Sequence, residues 1–77
     1  MSTTLWVSPD IDTWRVQREG AHRPEHICQS RAEAIDWACR SALVLAPCEI
    51  KVQDYSGNVT AQFEFARPAH PAHPPAA

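Results

Sequence analysis

The sequence predicts an α+β domain: a small antiparallel sheet of four to five strands with one amphipathic helix on one face, in the chain order β-β-(β)-α-β-β. Three observations carry this. A capped run from Arg31 to about Ala46 holds apolar residues at helical spacing. The segments on either side of it alternate apolar and polar residues with a period of two. Gly, Pro, Asn and Asp gather between those segments, where turns belong. One helix laid on one face of a sheet is a stable two-layer arrangement.

The first strand is Leu5-Trp6-Val7, short and β-prone. Ser8 to Thr13 follows as a turn-rich loop, in which Pro9 has no N–H for a sheet ladder. Trp14-Arg15-Val16-Gln17-Arg18 alternates and reads as a second strand, with Trp14 and Val16 inward and Arg15 and Gln17 outward. The two strands form a hairpin with a longer loop. Glu19 to Pro24 is a turn. Glu25-His26-Ile27-Cys28-Gln29 is a third, short strand, the bracketed one in the order above.

The helix opens on Ser30-Arg31-Ala32-Glu33, the S-x-x-E form of a reciprocal cap. Glu33 also lies in the positive end of the helix dipole. At about 100° per residue, Ala34, Ile35, Ala38, Cys39, Ala42, Leu43, Leu45 and Ala46 share a broad apolar face. Its small residues let the helix lie close to the sheet. Glu33, Asp36 and Arg40 fall opposite, and Pro47 ends the element by disfavouring helical geometry at Ala46. Trp37 and Val44 break the pattern: they are seven residues apart, hence on one line, and that line runs down the polar side.

Glu49 to Gln53 alternates again, and Tyr55-Ser56-Gly57-Asn58 supplies a turn. Val59, Ala61, Phe63 and Phe65 then alternate with Thr60, Gln62 and Glu64 to complete a hairpin. The expected inward set is Leu5, Val7, Trp14, Val16, Ile35, Ala38, Cys39, Ala42, Ile50, Val52, Val59, Ala61 and Phe63. Residues 1–66 make the domain. The proline-dense residues 67–77 can form neither helix nor ladder and are expected to be a disordered tail with a P-x-x-P pattern.

With about 65 residues to fold, the domain sits near the lower size for a core that stands alone, and a second copy would add buried area. Seven basic residues face nine acidic ones, so the chain has no overall basic field for nucleic acid. Cys28, Cys39 and Cys48 lack the C-x-x-C spacing of zinc or redox sites. The start, Met-Ser-Thr-Thr-Leu-Trp, lacks the basic start and apolar run of a signal peptide. No apolar stretch approaches the ~20 residues of a membrane span. The expectation is a cytoplasmic protein with reduced thiols and no contact with membranes.

Asp12-Thr13-Trp14-Arg15-Val16, Arg18-Glu19-Gly20-Ala21, Ser30 with Ala34-Ile35, Ala38 and Ala42, and Ser56-Gly57-Asn58-Val59 together resemble a small bacterial family, "domain of unknown function 2188". The resemblance spans roughly Leu5 to Phe65 and rests on short structural motifs. Thr13 and Ser56 stand where Gly and Asp are the commoner residues of the pattern. The resemblance implies a fold and no activity, because the family has no established one.

Four functional readings can be set against these residues. His22, His26 and Cys28, with Cys39 or Cys48, offer zinc-type ligands, but at a spacing that matches no common site. Surface histidines and packed thiols account for them more simply. A Cys28–His26 or Cys28–His22 dyad would need an electropositive pocket, and a chain with one helix has little concavity to build one. No enzymatic activity and no cofactor are therefore expected.

Arg15, Gln17, Lys51 and Gln62 share the outward sheet face, where single-stranded nucleic acid can bind by stacking. Trp6 and Tyr55 are the only aromatic candidates there, and Glu49 and Glu64 dilute the charge. Trp37, Val44 and Trp6 are large apolar side chains off the core face, as interface anchors are. The sequence thus favours a protein-interaction module, a homodimer or an accessory subunit, with nucleic-acid binding through the sheet face as the alternative.

Overall fold

A computed structural model of the chain describes residues 2–66. The order along the chain is β1 (Thr3–Pro9), β2 (Trp14–Arg18), β3 (His26–Cys28), α1 (Arg31–Leu45), β4 (Cys48–Gln53) and β5 (Val59–Phe65). The five strands form one sheet in the spatial order β3-β2-β1-β4-β5, with α1 across one face. Expectations about residues 67–77 fall outside the described residues.

The sheet is mixed, which corrects the antiparallel expectation. β1 pairs antiparallel with β2, β2 with β3, and β4 with β5, but β1 and β4 run parallel at the centre. The reason lies in the connection. Two antiparallel steps leave β3 running the same way as β1. A crossover through α1 then delivers β4 in that direction again, beside β1 rather than beside β3. Period-two alternation reports which face a side chain takes and carries no information on strand direction.

The helix begins as its cap requires. The Ser30 hydroxyl oxygen accepts from the Glu33 backbone N–H at 3.2 Å, with Ser30 itself extended. The return bond from the Glu33 side chain is absent among the described residues. The helix ends at Leu45, and the Ala46–Pro47 peptide is cis. Ala34, Ala38 and Ala42 are fully buried against the sheet, where Leu5, Val7, Val16, Ile50 and Val52 are equally inaccessible. Cys28 and Cys48 complete this core as small apolar side chains.

Three residues of the expected apolar set lie outside it. The β4–β5 ladder shifts between Val52 and Gln53, so that Val52 faces Ala61 but Gln53 faces Val59. The extra residue, Thr60, takes Val59 out of the inward phase and leaves it 47% exposed. Phe63 keeps the inward phase opposite Ile50, yet α1 packs on β1 to β4 and β5 lies beyond its cover. Leu43 sits about 140° around the helix from Ala38, past the rim of the apolar stripe, and is exposed. Trp14 is half-buried, its ring edge-on to Tyr55 at 6.4 Å.

Two turns use glycine for its positive φ. Gly20 closes the β2–β3 turn and Gly57 the β4–β5 turn, at φ 86° and 87°. In the second, one Asp54 carboxylate oxygen accepts from the N–H groups of Ser56 and Asn58, which fixes the loop that launches β5.

Candidate interaction surfaces

The alternation of β3 points His26 to the same side as Cys28, toward the helix. There its ring stacks on Trp37 at 4.8 Å between centroids and 10° between planes. Trp37 is thereby half-buried and closes the helix–β3 edge. A second turn on, Val44 is 85% exposed, and together with Trp37, Arg40, Ser41 and Leu45 it lines an open apolar groove on the outer flank of α1. Arg40 is ion-paired to Asp36 one turn back, which leaves this flank close to neutral. Trp37 and Val44 thus differ in kind: the first is held in the fold and the second stands free.

The other face of the sheet carries Trp6, Arg15, Gln17, Lys51 and Gln62. Trp6 projects away from Leu5 and Val7. Its Nε1–H donates to Glu19 at 3.0 Å, and the Lys51 ammonium lies 5.2 Å from the ring centroid. Lys51 also lies 3.7 Å from the Glu49 carboxylate, whose other oxygen accepts from the Gln62 amide at 2.6 Å. The indole therefore has its N–H and one ring face engaged, and Lys51 and Gln62 are tied to a carboxylate. Arg15 makes no ion pair among the described residues. Gln17 donates to the Ala21 carbonyl at 2.8 Å, within the turn. Tyr55 packs on Trp14, at the opposite face from Trp6.

A third surface was not among the candidates read from the sequence. On the helix-bearing face, β5 presents Phe63, 38% exposed, with Phe65 beside it. The flank of α1 that looks toward this strand is the one opposite Trp37, with Ile35 and Cys39 packed low and Leu43 69% exposed above them. Phe63 was legible as inward from its alternation. That no element among the described residues covers it fully depends on where the helix lies, which alternation does not encode.

The thiols offer little chemistry. Burial pushes Cys28, Cys39 and Cys48 up from the ordinary thiol value, and nearby Glu33 and Asp36 raise Cys28 and Cys39 further. For Cys48, Arg18 opposes the burial effect in part. A protonated, buried thiol is a poor nucleophile and a poor ligand. His26 is committed to Trp37. Among the described residues, no three His, Cys, Asp or Glu side chains gather where a metal ion would fit. No helix among them is long and apolar enough to cross a membrane.

A family model, described as an uncharacterized protein conserved in bacteria (DUF2188), matches residues 5–60, well over half of the chain. The chain belongs to this family. The DUF2188 match takes in β1 from Leu5 onward, β2 to β4 and the helix, so the parallel pair with its crossover lies in the part it covers. It stops at Thr60, and the rest of β5, with Phe63, lies beyond it. Among the curated proteins and the solved structures, none matches the chain.

Proposed function

We propose that this domain is a non-enzymatic protein-interaction module that self-associates or serves as a small accessory subunit. One observation carries the reading: on the helix-bearing side, large apolar side chains stand clear of the core. Leu43 and Val44 are 69% and 85% exposed on α1, and Phe63 is 38% exposed on β5. Single exposed apolar residues are ordinary. Several on one side of so small a domain are the composition of an interface core, and two of the charges that lie between Leu43 and Val44, Asp36 and Arg40, are paired with each other. The raised thiols and the open grooves support a binding role over a catalytic one.

Nucleic-acid binding through the opposite face has weaker support. Trp6 is spanned by Lys51 and Glu19, and Lys51 and Gln62 are engaged with Glu49. Of the expected contacts, Arg15 is the one cation without an ion pair among the described residues.

Sedimentation equilibrium over a range of concentrations tests the reading. The expected result is a mass rising from 8.6 kDa toward twice that value. Leu43→Lys with Val44→Lys should leave the circular dichroism spectrum unchanged and shift any association through α1 to higher concentration. A strictly monomeric wild type would remove the self-association reading. Salt-dependent retention of an oligonucleotide, abolished by Arg15→Glu, would favour the alternative.

A further inference from the structure

We infer that the edge of β5 left unpaired among the described residues pairs antiparallel with the β5 edge of a second copy, about a two-fold axis at Phe63, to make a continuous ten-stranded sheet. This rests on the self-association proposed above and names its surface and register.

The two edges of the sheet differ. β3 has three residues, follows Pro24, and is closed on the helix side by the His26–Trp37 stack. β5 has seven residues, and its sequence Val-Thr-Ala-Gln-Phe-Glu-Phe contains no proline, no lysine and a single charge. Proteins commonly protect an edge with those residues or by keeping it short. β3 is protected in this way, whereas β5 has only a bulge at its start, by Thr60, and is regular and unprotected from Ala61 to Phe65 apart from the single charge of Glu64.

The direction of the free backbone groups follows from the ladder. The Thr3 N–H donates to the Pro47 carbonyl, so Pro47 faces β1. Backbone groups alternate along a strand, which turns Cys48, Ile50 and Val52 toward β5. Their partners Phe65, Phe63 and Ala61 therefore spend their N–H and C=O groups on β4. Gln62 and Glu64, between them, aim theirs at the open edge.

Two antiparallel copies keep their faces in register only if odd residues meet odd and even meet even. Among the allowed registers, centring on Phe63 uses the regular stretch from Ala61 to Phe65 and avoids the irregularity at Thr60. It sets Gln62 against Glu64 of the second copy, twice, with backbone bonds in both directions. The Gln62 amide gives one N–H to Glu49 of its own chain and has the other for the Glu64 carboxylate of the second copy, and no like charges meet across the seam. On the helix-bearing face Phe63 meets its own copy at the close, non-hydrogen-bonded position, and Phe65 meets Ala61, large against small. The two-fold axis runs through the sheet, so both helices stay on one side and the Phe63 pair lies in the trough between them. Leu43 of each helix stands on the flank toward that trough. An edge-on contact of this kind is smaller than the standard interface of about 1,600 Å², so the dimer should dissociate on dilution.

Cysteine scanning of the full chain in a Cys39→Ser background tests the register, with sedimentation run on the same samples. Under mild copper–phenanthroline oxidation, Phe63→Cys should form a covalent dimer rapidly, because non-hydrogen-bonded antiparallel pairs suit disulfide geometry. Ala61→Cys, Gln62→Cys and Phe65→Cys alone should not. The double variant Gln62→Cys/Glu64→Cys, which keeps Phe63, should cross-link as well. Phe63→Lys, at a half-exposed position, should fold and sediment as monomer. A dimer that persists in Phe63→Lys and does not cross-link through residue 63 overturns the β5 pairing while leaving self-association standing. A wild type monomeric at every concentration overturns both. A monomer whose Gln62 and Glu64 amides resist hydrogen exchange assigns the edge to this chain's own residues beyond Ala66, and overturns the pairing too.

Discussion

Ala38 is the position at which the packing of the helix on the sheet is most directly tested. It lies in the middle of the Ala34–Ala38–Ala42 stripe, fully buried above the central parallel pair of strands, with Leu5 and Ile50 also at zero exposure. Ala38→Leu adds three carbon atoms where the helix has been brought close by having none. Overpacking of this sort costs about 1–3 kcal/mol, from rotamer strain and displacement of the backbone. At ~0.05–0.15 kcal/mol per residue, about 65 folded residues hold some 3–10 kcal/mol in all, so the loss is a large fraction of the stability. In a domain of this size 1 kcal/mol corresponds to roughly 4–8 °C, and Ala38→Leu should lower Tm by about 5–20 °C. Urea unfolding followed by circular dichroism reads the same loss as a lower midpoint at unchanged slope. Protein concentration must be held fixed, because a dimer would add stability by mass action. Val44→Leu on the 85%-exposed line of the same helix is the control and should change stability by no more than about 0.5 kcal/mol. Ala38→Leu matching wild type within that margin would refute the close approach of helix and sheet.

Two further outcomes follow from the cap and the thiols. Ser30→Ala removes the acceptor for the Glu33 N–H and should cost about 1 kcal/mol, with Ser30→Asp restoring most of it; equal stability of all three proteins would show that the cap contributes nothing. Burial raises the thiol values from 9.0, so the folded chain holds these protons more tightly than the unfolded chain does. Stability from this source is complete below the unfolded value and is lost as pH rises through the folded one, which gives a fall in Tm above about pH 9. Cys48→Ala should flatten part of that fall, and an identical slope would sink the assignment. In the native protein at neutral pH, half-buried Cys39 should react with Ellman's reagent before Cys28 and Cys48.

Much of this fold was legible because its signals are local. Ser30 and Pro47 bound the helix through chemistry within a few residues of each end, and the period of two in Trp14–Arg18 and Glu49–Gln53 matches the observed inward residues Val16, Ile50 and Val52, while buried Cys48 lies just before the expected strand. The parallel pairing of β1 with β4 was hidden because it joins segments more than 40 residues apart, and nothing in either strand records its partner. Val59 was misplaced because one extra residue, Thr60, inverts the phase at the start of an otherwise regular strand. Trp37 looked like a surface residue because its partner is His26, on a strand of three residues that the alternation barely marks. Val44 and Trp6 were placed off the core face by spacing alone, and both lie there. The companion residue Phe63 was obscured by the same periodicity, which reports a face and not its cover.

The geometry of a single helix explains why that cover fails where it does. An α-helix with its side chains is about 10–12 Å across, whereas five strands at ~4.8 Å spacing span roughly 19 Å between the outer two. One helix cannot shield such a sheet to both edges. Here α1 packs over β1 and β4 and leans on β2 and β3, so the shortfall falls on β5 alone. On the β3 side the chain answers with a three-residue strand and an aromatic stack, which need no further partner. On the β5 side it keeps seven residues of strand, two phenylalanines and no charge on the inner face. A chain that needed only to close its core could have shortened this strand or placed lysine at residue 63 at little cost to the fold, since neither change touches a fully buried residue. Keeping the strand long and apolar on the one edge the helix leaves uncovered is what makes β5, rather than the Trp37–Val44 flank, the surface whose loss should be felt first in association.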